Sequence, residues 1–189
     1  IVAAGELTPD DTVLEIGPGL GAMTRLMAGE AGRVMCVEVD AGFTRVLKET
    51  TSDLPNVAVA HADFLKMNLP EFAENHLQPL PAKVVSNIPY NLTSPIVGAL
   101  MDTHTLWTTI VLLIQKEVAE RIVATPASDH YSSFGIHVQF KAEAEIVSIV
   151  PRTVFYPPPR VDSAILRLRP RAKPLVDVLN EKVFSQTVR

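Results

Sequence analysis

The sequence predicts an α/β fold, a mostly parallel sheet with helices on both faces, and three observations lead there. Short β-branched apolar runs alternate with helical patterns from residue 12 to residue 124. A glycine-rich turn, Gly17-Pro18-Gly19-Leu20-Gly21, follows the first of those runs. Beyond residue 140 the alternation stops, and two strand patterns succeed one another with no helix between them. Strand–helix–strand alternation implies right-handed crossovers and parallel neighbours, whereas strands joined without a helix pair antiparallel.

Taken in order, strands are predicted near 12–16, 33–38, 57–60, 83–87 and 107–114, with helices near 20–30, 41–51, 92–103 and 116–124. Asp40 is placed to cap the second helix, and Thr93 or Ser94 the third, with Pro95 in its first turn. Pro126 ends the helix carrying Glu117 and Glu120, because proline has no N–H for the ladder. Ala144–Val150 and Ser163–Leu168 are the last strands. The proline-dense stretch Pro151–Val161 joins them into an antiparallel pair that closes the sheet. From Pro170 the chain reads as a linker, then as a helical apolar stripe of Leu175, Val176, Leu179, Val183 and Phe184 with no partner in the sequence. Residues 1–170 are therefore expected to form one domain, and 171–189 a linker and the start of a second, helical one. A start at Ile1 and an end at Arg189 inside a helical pattern are expected of a piece of a longer protein.

Composition narrows the function. With 189 residues, 47% hydrophobic and 20% charged, the chain suits a globular domain that needs no covalent staples. The single cysteine, Cys36, sits in the apolar run Val34–Val37, where a buried strand position is expected. It admits no disulfide within the chain, and a reducing, cytoplasmic setting is expected. The five histidines lack metal-ligand spacing, so no metal is expected. The longest fully apolar run, Ile110–Ile114, is too short for a bilayer, no signal peptide is visible, and a monomer is expected. A net charge of −4 argues against a general nucleic-acid binder. Yet Arg152, Arg160, Arg167, Arg169, Arg171 and Lys173 cluster near one end against Asp162 alone. That basic stretch is read either as a phosphate-facing surface or as a solvated basic strand.

Four segments follow predicted strands, at the sheet edge where α/β proteins bind ligands. Gly17, Gly19 and Gly21 let the chain turn tightly and a ligand approach the backbone, while the next helix offers free N–H groups. The loop alone does not separate NAD from another adenosine cofactor. Glu38, ending the second strand, is placed to hold ribose hydroxyls. Glu15 lies inside a strand end, where a carboxylate needs a partner. A cationic cofactor or the loop's own N–H groups would supply one, which favours a sulfonium cofactor over a dinucleotide. Asp63 is placed to accept from an adenine amine, with Phe64 or a neighbour packing the ring; the rival reading is a helix cap.

Asn87-Ile88-Pro89-Tyr90 carries the reaction. An exocyclic adenine amine is a poor nucleophile because its lone pair is delocalised into the ring. Acceptors on both N–H groups, the Asn87 side-chain oxygen and the Ile88 carbonyl, would favour a pyramidal nitrogen. Pro89 fixes the direction of that carbonyl, and Tyr90 would stack on the base. No strong base is needed, since the proton leaves after the methyl arrives, and Asn87 is also counted among the cofactor-binding residues. Phe155, in the rigid turn between the last strands, would form the second face of an aromatic sandwich around a flipped base, or else pack in the core. Trp107 is expected in the core.

These residues resemble the ribosomal-RNA adenine N6-dimethyltransferases, most closely the small-subunit dimethyladenosine transferase branch. The matching stretches are Leu14–Gly21, Val37–Asp40, Asn87–Pro95, Gln115–Arg121 and Phe155–Ala164. The resemblance implies a class I S-adenosylmethionine-dependent fold with a seven-stranded sheet whose last-inserted strand is antiparallel. It also implies two successive methylations of each target adenosine in ribosomal RNA or an assembling small subunit, as a step of ribosome biogenesis. Pro95 and the run Pro157–Ala164 favour this branch over the one that modifies large-subunit RNA. The family carries a Gln-Asn-Phe-type segment upstream and a helical C-terminal domain that grips RNA; the first is missing from this sequence and the second stops at Phe184–Arg189. Two other readings stay open at this stage: a NAD-dependent oxidoreductase, and a non-catalytic ribosome-assembly or transcription factor of the same fold.

Overall fold

A computed structural model describes residues 1–188; Arg189, the end of the expected second-domain segment, lies outside them. Seven strands form one sheet: β1 (Thr12–Ile16), β2 (Arg33–Glu38), β3 (Val57–His61), β4 (Ala82–Asn87), β5 (Trp107–Gln115), β6 (Ala142–Val150) and β7 (Ser163–Pro170). Their order is β3-β2-β1-β4-β5-β7-β6. The first five run parallel, and β7 runs antiparallel to both β5 and β6. The closing antiparallel pair is as the sequence predicted, and the seven-stranded sheet with its last strand inserted antiparallel is as the family resemblance implied, leaving β6 at the edge.

The helices are α1 (Ala22–Ala28), α2 (Ala41–Thr50), α3 (Leu69–His76), α4 (Thr93–Asp102), α5 (Lys116–Val123), α6 (Ser133–Lys141) and α7 (Glu181–Thr187). Asp40 caps α2 as predicted, accepting from the Phe43 N–H at 2.8 Å. Neither Thr93 nor Ser94 caps α4. A 3-10 turn, Tyr90–Leu92, runs straight into the helix, so both residues already have helical backbone, and the Thr93 hydroxyl donates back to the Tyr90 carbonyl. The sequence reading missed α3 and α6. Pro70 opens α3 where a missing N–H costs nothing. Ser132 caps α6, accepting from the Gly135 N–H at 3.2 Å.

Inner strands buried on both faces read as unbroken apolar runs, and strict alternation divides them between two layers. Leu14, Ile16, Val37 and Val84 join side chains of α4, α5 and α6 on one face. Val13, Val34, Cys36 and Val85 join Met27 of α1 and Leu47 of α2 on the other. Cys36 and Trp107 are buried, as expected.

The basic stretch is largely internal to the sheet, which corrects the phosphate-facing reading for three of its members. Arg167 pairs with Glu6 and Glu145, each at 2.7 Å; Arg169 pairs with Glu145 at 2.7 Å; Arg171 pairs with Glu143 at 2.9 Å. The cause is register: β6 lies beside β7 with Glu145 opposite Arg167 and Glu143 opposite Arg169, so the charges meet across strands. Among the described residues, no helix is long and apolar enough to cross a membrane, and no group of three His, Cys, Asp or Glu is placed to hold a metal ion.

Candidate functional site

The strand order reverses direction between β1 and β4, and the crevice of a doubly wound sheet opens at such a switch. The main-chain ladder between these strands pairs Val13 with Lys83 and Leu14 with Val84. Beyond it, the Ile16 N–H is satisfied instead by the Ser86 hydroxyl at 2.8 Å. Past that point lies a cleft of about 360 Å³, within the size range of small-ligand sites. Gly17, Gly19, Glu38, Asp63 and Pro89 wall it, and Phe43 and Leu65 add apolar surface. A wider hollow of about 630 Å³ runs along α2 between Arg45, Lys48, Glu49 and His61. It is a charged outer surface that meets a strand end only at His61 and includes no residue of the glycine loop, so the cleft is the candidate site.

Gly17, Gly19 and Gly21 all hold positive φ, at 66°, 57° and 84°. Side chains at Gly17 and Gly19 would meet no protein atom, so the space over them is open on the cleft side. Glu38 ties this loop to α2: one carboxylate oxygen accepts from the Gly19 N–H at 3.2 Å, the other from the Asp40 N–H at 2.9 Å. Asp63 caps the turn after it, as one of its sequence readings held. It accepts from the Leu65 N–H at 3.1 Å, starting a 3-10 turn, pairs with Lys66 at 3.2 Å, and also lines the cleft. Phe64, 5% exposed, belongs to the core cluster and also borders the cleft, and its neighbour Leu65, 39% exposed, is the freer apolar surface.

Glu15, only 2% exposed, is not among the residues that wall the cleft, and its protein partners are not the loop's N–H groups. Its carboxyl accepts from the Thr24 hydroxyl at 2.5 Å and lies 3.6 Å from the Cys36 sulfur. Alternation puts it on the α1 face of β1, beneath the loop. Burial pushes its pKa up to about 7, against the opposing hydrogen bonds from Thr24 and Cys36. Burial likewise pushes the Cys36 thiol up, with Glu15 adding to the effect.

The Asn87–Tyr90 segment forms the other lip. Asn87 ends β4 exposed, and its side-chain amide makes no hydrogen bond among the described residues. Ile88 is buried in the core and anchors the segment. Pro89 holds an extended backbone with φ −59°, and its carbonyl accepts from the Leu92 N–H. Tyr90 reaches across to β7, its hydroxyl 2.6 Å from that of Ser163. Phe155 is half-buried in the turn after β6, and its N–H donates to the Arg152 carbonyl. The Tyr90 and Phe155 rings do not touch; the ring contacts among the described residues are Phe72–His76 and Phe140–Phe184.

The structure thus gathers the glycine loop, Glu38, Asp63 and Pro89 around one cleft; Asn87 lies two residues before Pro89, and neither it nor Glu15 is among the residues that wall the cleft. Sequence reasoning missed Thr24, Ser86, Ser163 and the apolar walls Phe43 and Leu65. Ser86 alone carried a signal, as a lone hydroxyl ending the apolar run Val84-Val85.

The profile of the Ribosomal RNA adenine dimethylase family matches residues 1–189. The chain belongs to this family. Among its relatives are proteins named Ribosomal RNA small subunit methyltransferase A. That of Ligilactobacillus salivarius (strain UCC118) is 43% identical over all of this chain and 64% of the relative. That of Latilactobacillus sakei subsp. sakei (strain 23K) is 44% identical with the same shares. The chain therefore spans just under two thirds of the length of these curated relatives. Among solved structures, a dimethyladenosine transferase from Plasmodium falciparum superposes with TM-score 0.85 at 29% identity, covering 100% of this chain and 65% of that one. The 23S rRNA methyltransferase ErmE superposes with TM-score 0.82 at 35% identity, covering 99% and 72%. The dimethylase family thus accounts for the whole sheet, including the inserted β7.

Proposed function

We propose that this chain is the catalytic part of an enzyme that transfers methyl groups from S-adenosylmethionine to the N6 amine of adenosines in small-subunit ribosomal RNA, two per base, during ribosome biogenesis. Residues 1–170 would hold the chemistry, and 171–189 would lead into a further domain. The relatives named for the small subunit are more similar in sequence than ErmE, which acts on 23S RNA. That difference favours the small-subunit substrate over the large-subunit one.

The residues of the cleft fit the cofactor. Open space over Gly17 and Gly19 admits a ligand against the backbone, Glu38 offers carboxylate oxygens for ribose hydroxyls, and Asp63 faces the apolar Leu65 wall where an adenine amine would need an acceptor. When bound, S-adenosylmethionine supplies an electrophilic methyl on a sulfonium. The chain's own part is placement and electrostatics. The Asn87 oxygen and the Ile88 carbonyl would accept hydrogen bonds from the N–H groups of the target amine, which loses one proton to solvent after each methyl arrives; Pro89 fixes the carbonyl, and Tyr90 supports the base. The observation that carries this reading is the Asn87 amide: exposed, unengaged by protein, and two residues from Pro89 on the cleft wall.

The test uses the full-length protein, small-subunit ribosomal RNA and calorimetry with S-adenosylmethionine, S-adenosylhomocysteine and NADH. The first two should bind and NADH should not. Asn87→Ala should lower kcat by about 10²-fold or more with cofactor affinity nearly intact. Glu38→Ala should weaken the cofactor first. Binding of NADH alone, or full activity in both variants, would overturn the assignment. Retained cofactor binding without any transfer by the wild type would point to a non-catalytic assembly factor.

A further inference from the structure

We propose that Ser163 is a positioning residue for the transfer, its buried hydroxyl holding the Tyr90 ring at a fixed place in the base-binding slot. The proposal rests on the reading of Tyr90 given above. Tyr90 opens a 3-10 turn only three residues long, and its side chain is half-exposed, so nothing local fixes where its ring stands. The constraint comes from a residue 73 positions away. At 2.6 Å, the contact between the Tyr90 and Ser163 hydroxyls is at the short end of O–H···O hydrogen bonds.

Ser163 is well chosen as an anchor. It is 0% exposed, and its backbone pairs with Gln115 of β5 on one side and Val150 of β6 on the other. It opens β7, the inserted antiparallel strand, so its first residue lies at the same sheet edge as the carboxyl ends of β4 and β5. It cannot shift without breaking two ladders, whereas Tyr90 sits outside the sheet.

The residue before it anchors the other aromatic wall. The Asp162 carboxylate accepts from the Arg152 N–H at 3.0 Å, and Arg152 in turn donates to the Arg160 carbonyl at 3.1 Å. The Phe155 N–H bonds to the Arg152 carbonyl, so the Phe155 turn hangs from Asp162. Asp162, just before β7, and Ser163, its first residue, therefore tie both Tyr90 and Phe155 to one strand end. A planar base entering between them would meet walls whose separation is set by Asp162 and Ser163 rather than by the base. Such preorganisation acts on the geometry of the reacting amine, so its loss should appear in kcat rather than in cofactor binding.

The experiment compares full-length wild type, Ser163→Ala, Tyr90→Phe and the double variant on small-subunit ribosomal RNA. Tyr90→Phe keeps the stacking ring and removes only the hydroxyl. Each single variant should lower kcat by about three- to tenfold, the range of one net hydrogen bond, with KM for RNA and cofactor affinity changed by less than about twofold. The double variant should be no slower than the slower single one, because both remove the same contact. Wild-type kcat in Ser163→Ala, or losses that multiply in the double variant, would overturn the role while leaving the proposed function standing. A fall in melting temperature with unchanged kcat would make Ser163 structural only. A wild type that moves no methyl group would overturn both.

Discussion

Glu15 is strongly altered by its surroundings, and they make its protonation a property of the fold. Its pKa rises from 4.5 to about 7 in the folded chain because burial disfavours the charge. An acid with a raised folded pKa binds its proton more tightly in the folded state. Its contribution is complete below the unfolded value and is lost as pH rises through about 7. The loss is on the order of 3 kcal/mol. Glu15→Gln stays neutral, so urea unfolding should show the variant gaining on wild type between pH 5 and 8, with a constant difference above. A difference that does not change with pH would show that Glu15 ionises as freely folded as unfolded. The sequence exposed a strand-end carboxylate in need of a partner. It did not reveal Thr24, because a hydroxyl nine residues on becomes a neighbour only once α1 packs over β1.

At the scale of elements, α6 shows why a helix can be hidden in its sequence. Ser132-Ser133-Phe134-Gly135 reads as a turn, and glycine is a poor helix former. The glycine is required from outside the helix: a Cβ there would run into the Arg121 carbonyl oxygen of α5, which is backbone and does not yield. Gly135→Ala sets two effects against each other. Helix propensity favours alanine by about 1 kcal/mol, whereas forcing a methyl against a packed backbone costs about 1–3 kcal/mol or more. The clash should win, and the variant should unfold at lower urea concentration than wild type; a stabilised variant would mean that α6 slides freely on α5. The β7 arginines teach the same lesson. Their basic spacing was legible, but which charges opposed them depended on β6 lying alongside in one particular register.

For the whole molecule, the weak point is the segment after β7. Beyond Arg171, whose N–H bonds to the Lys141 carbonyl and whose side chain pairs with Glu143, it touches the other described residues through the Leu175 N–H bond to the Phe140 carbonyl at 3.0 Å and the Phe140–Phe184 ring contact, while Leu175, Val176 and Leu179 stay exposed. A chain ended after Lys173 keeps the Arg171 pairing with Glu143. It should melt within about 4 °C of the chain studied, the shift expected for about 1 kcal/mol at this size; a larger drop would make α7 part of the core. The sequence by itself determined the alternation, hence the parallel sheet, and the glycine loop, Glu38, Asp63 and Asn87–Tyr90 at the strand ends, because period and turn chemistry are local. It also carried the family motifs. Only the tertiary structure decided that Glu15 answers to Thr24, that Arg167 belongs to Glu6 and Glu145, and that Tyr90 meets Ser163. Each of those is a contact between residues distant in the chain, and such contacts exist only when packing brings their elements together.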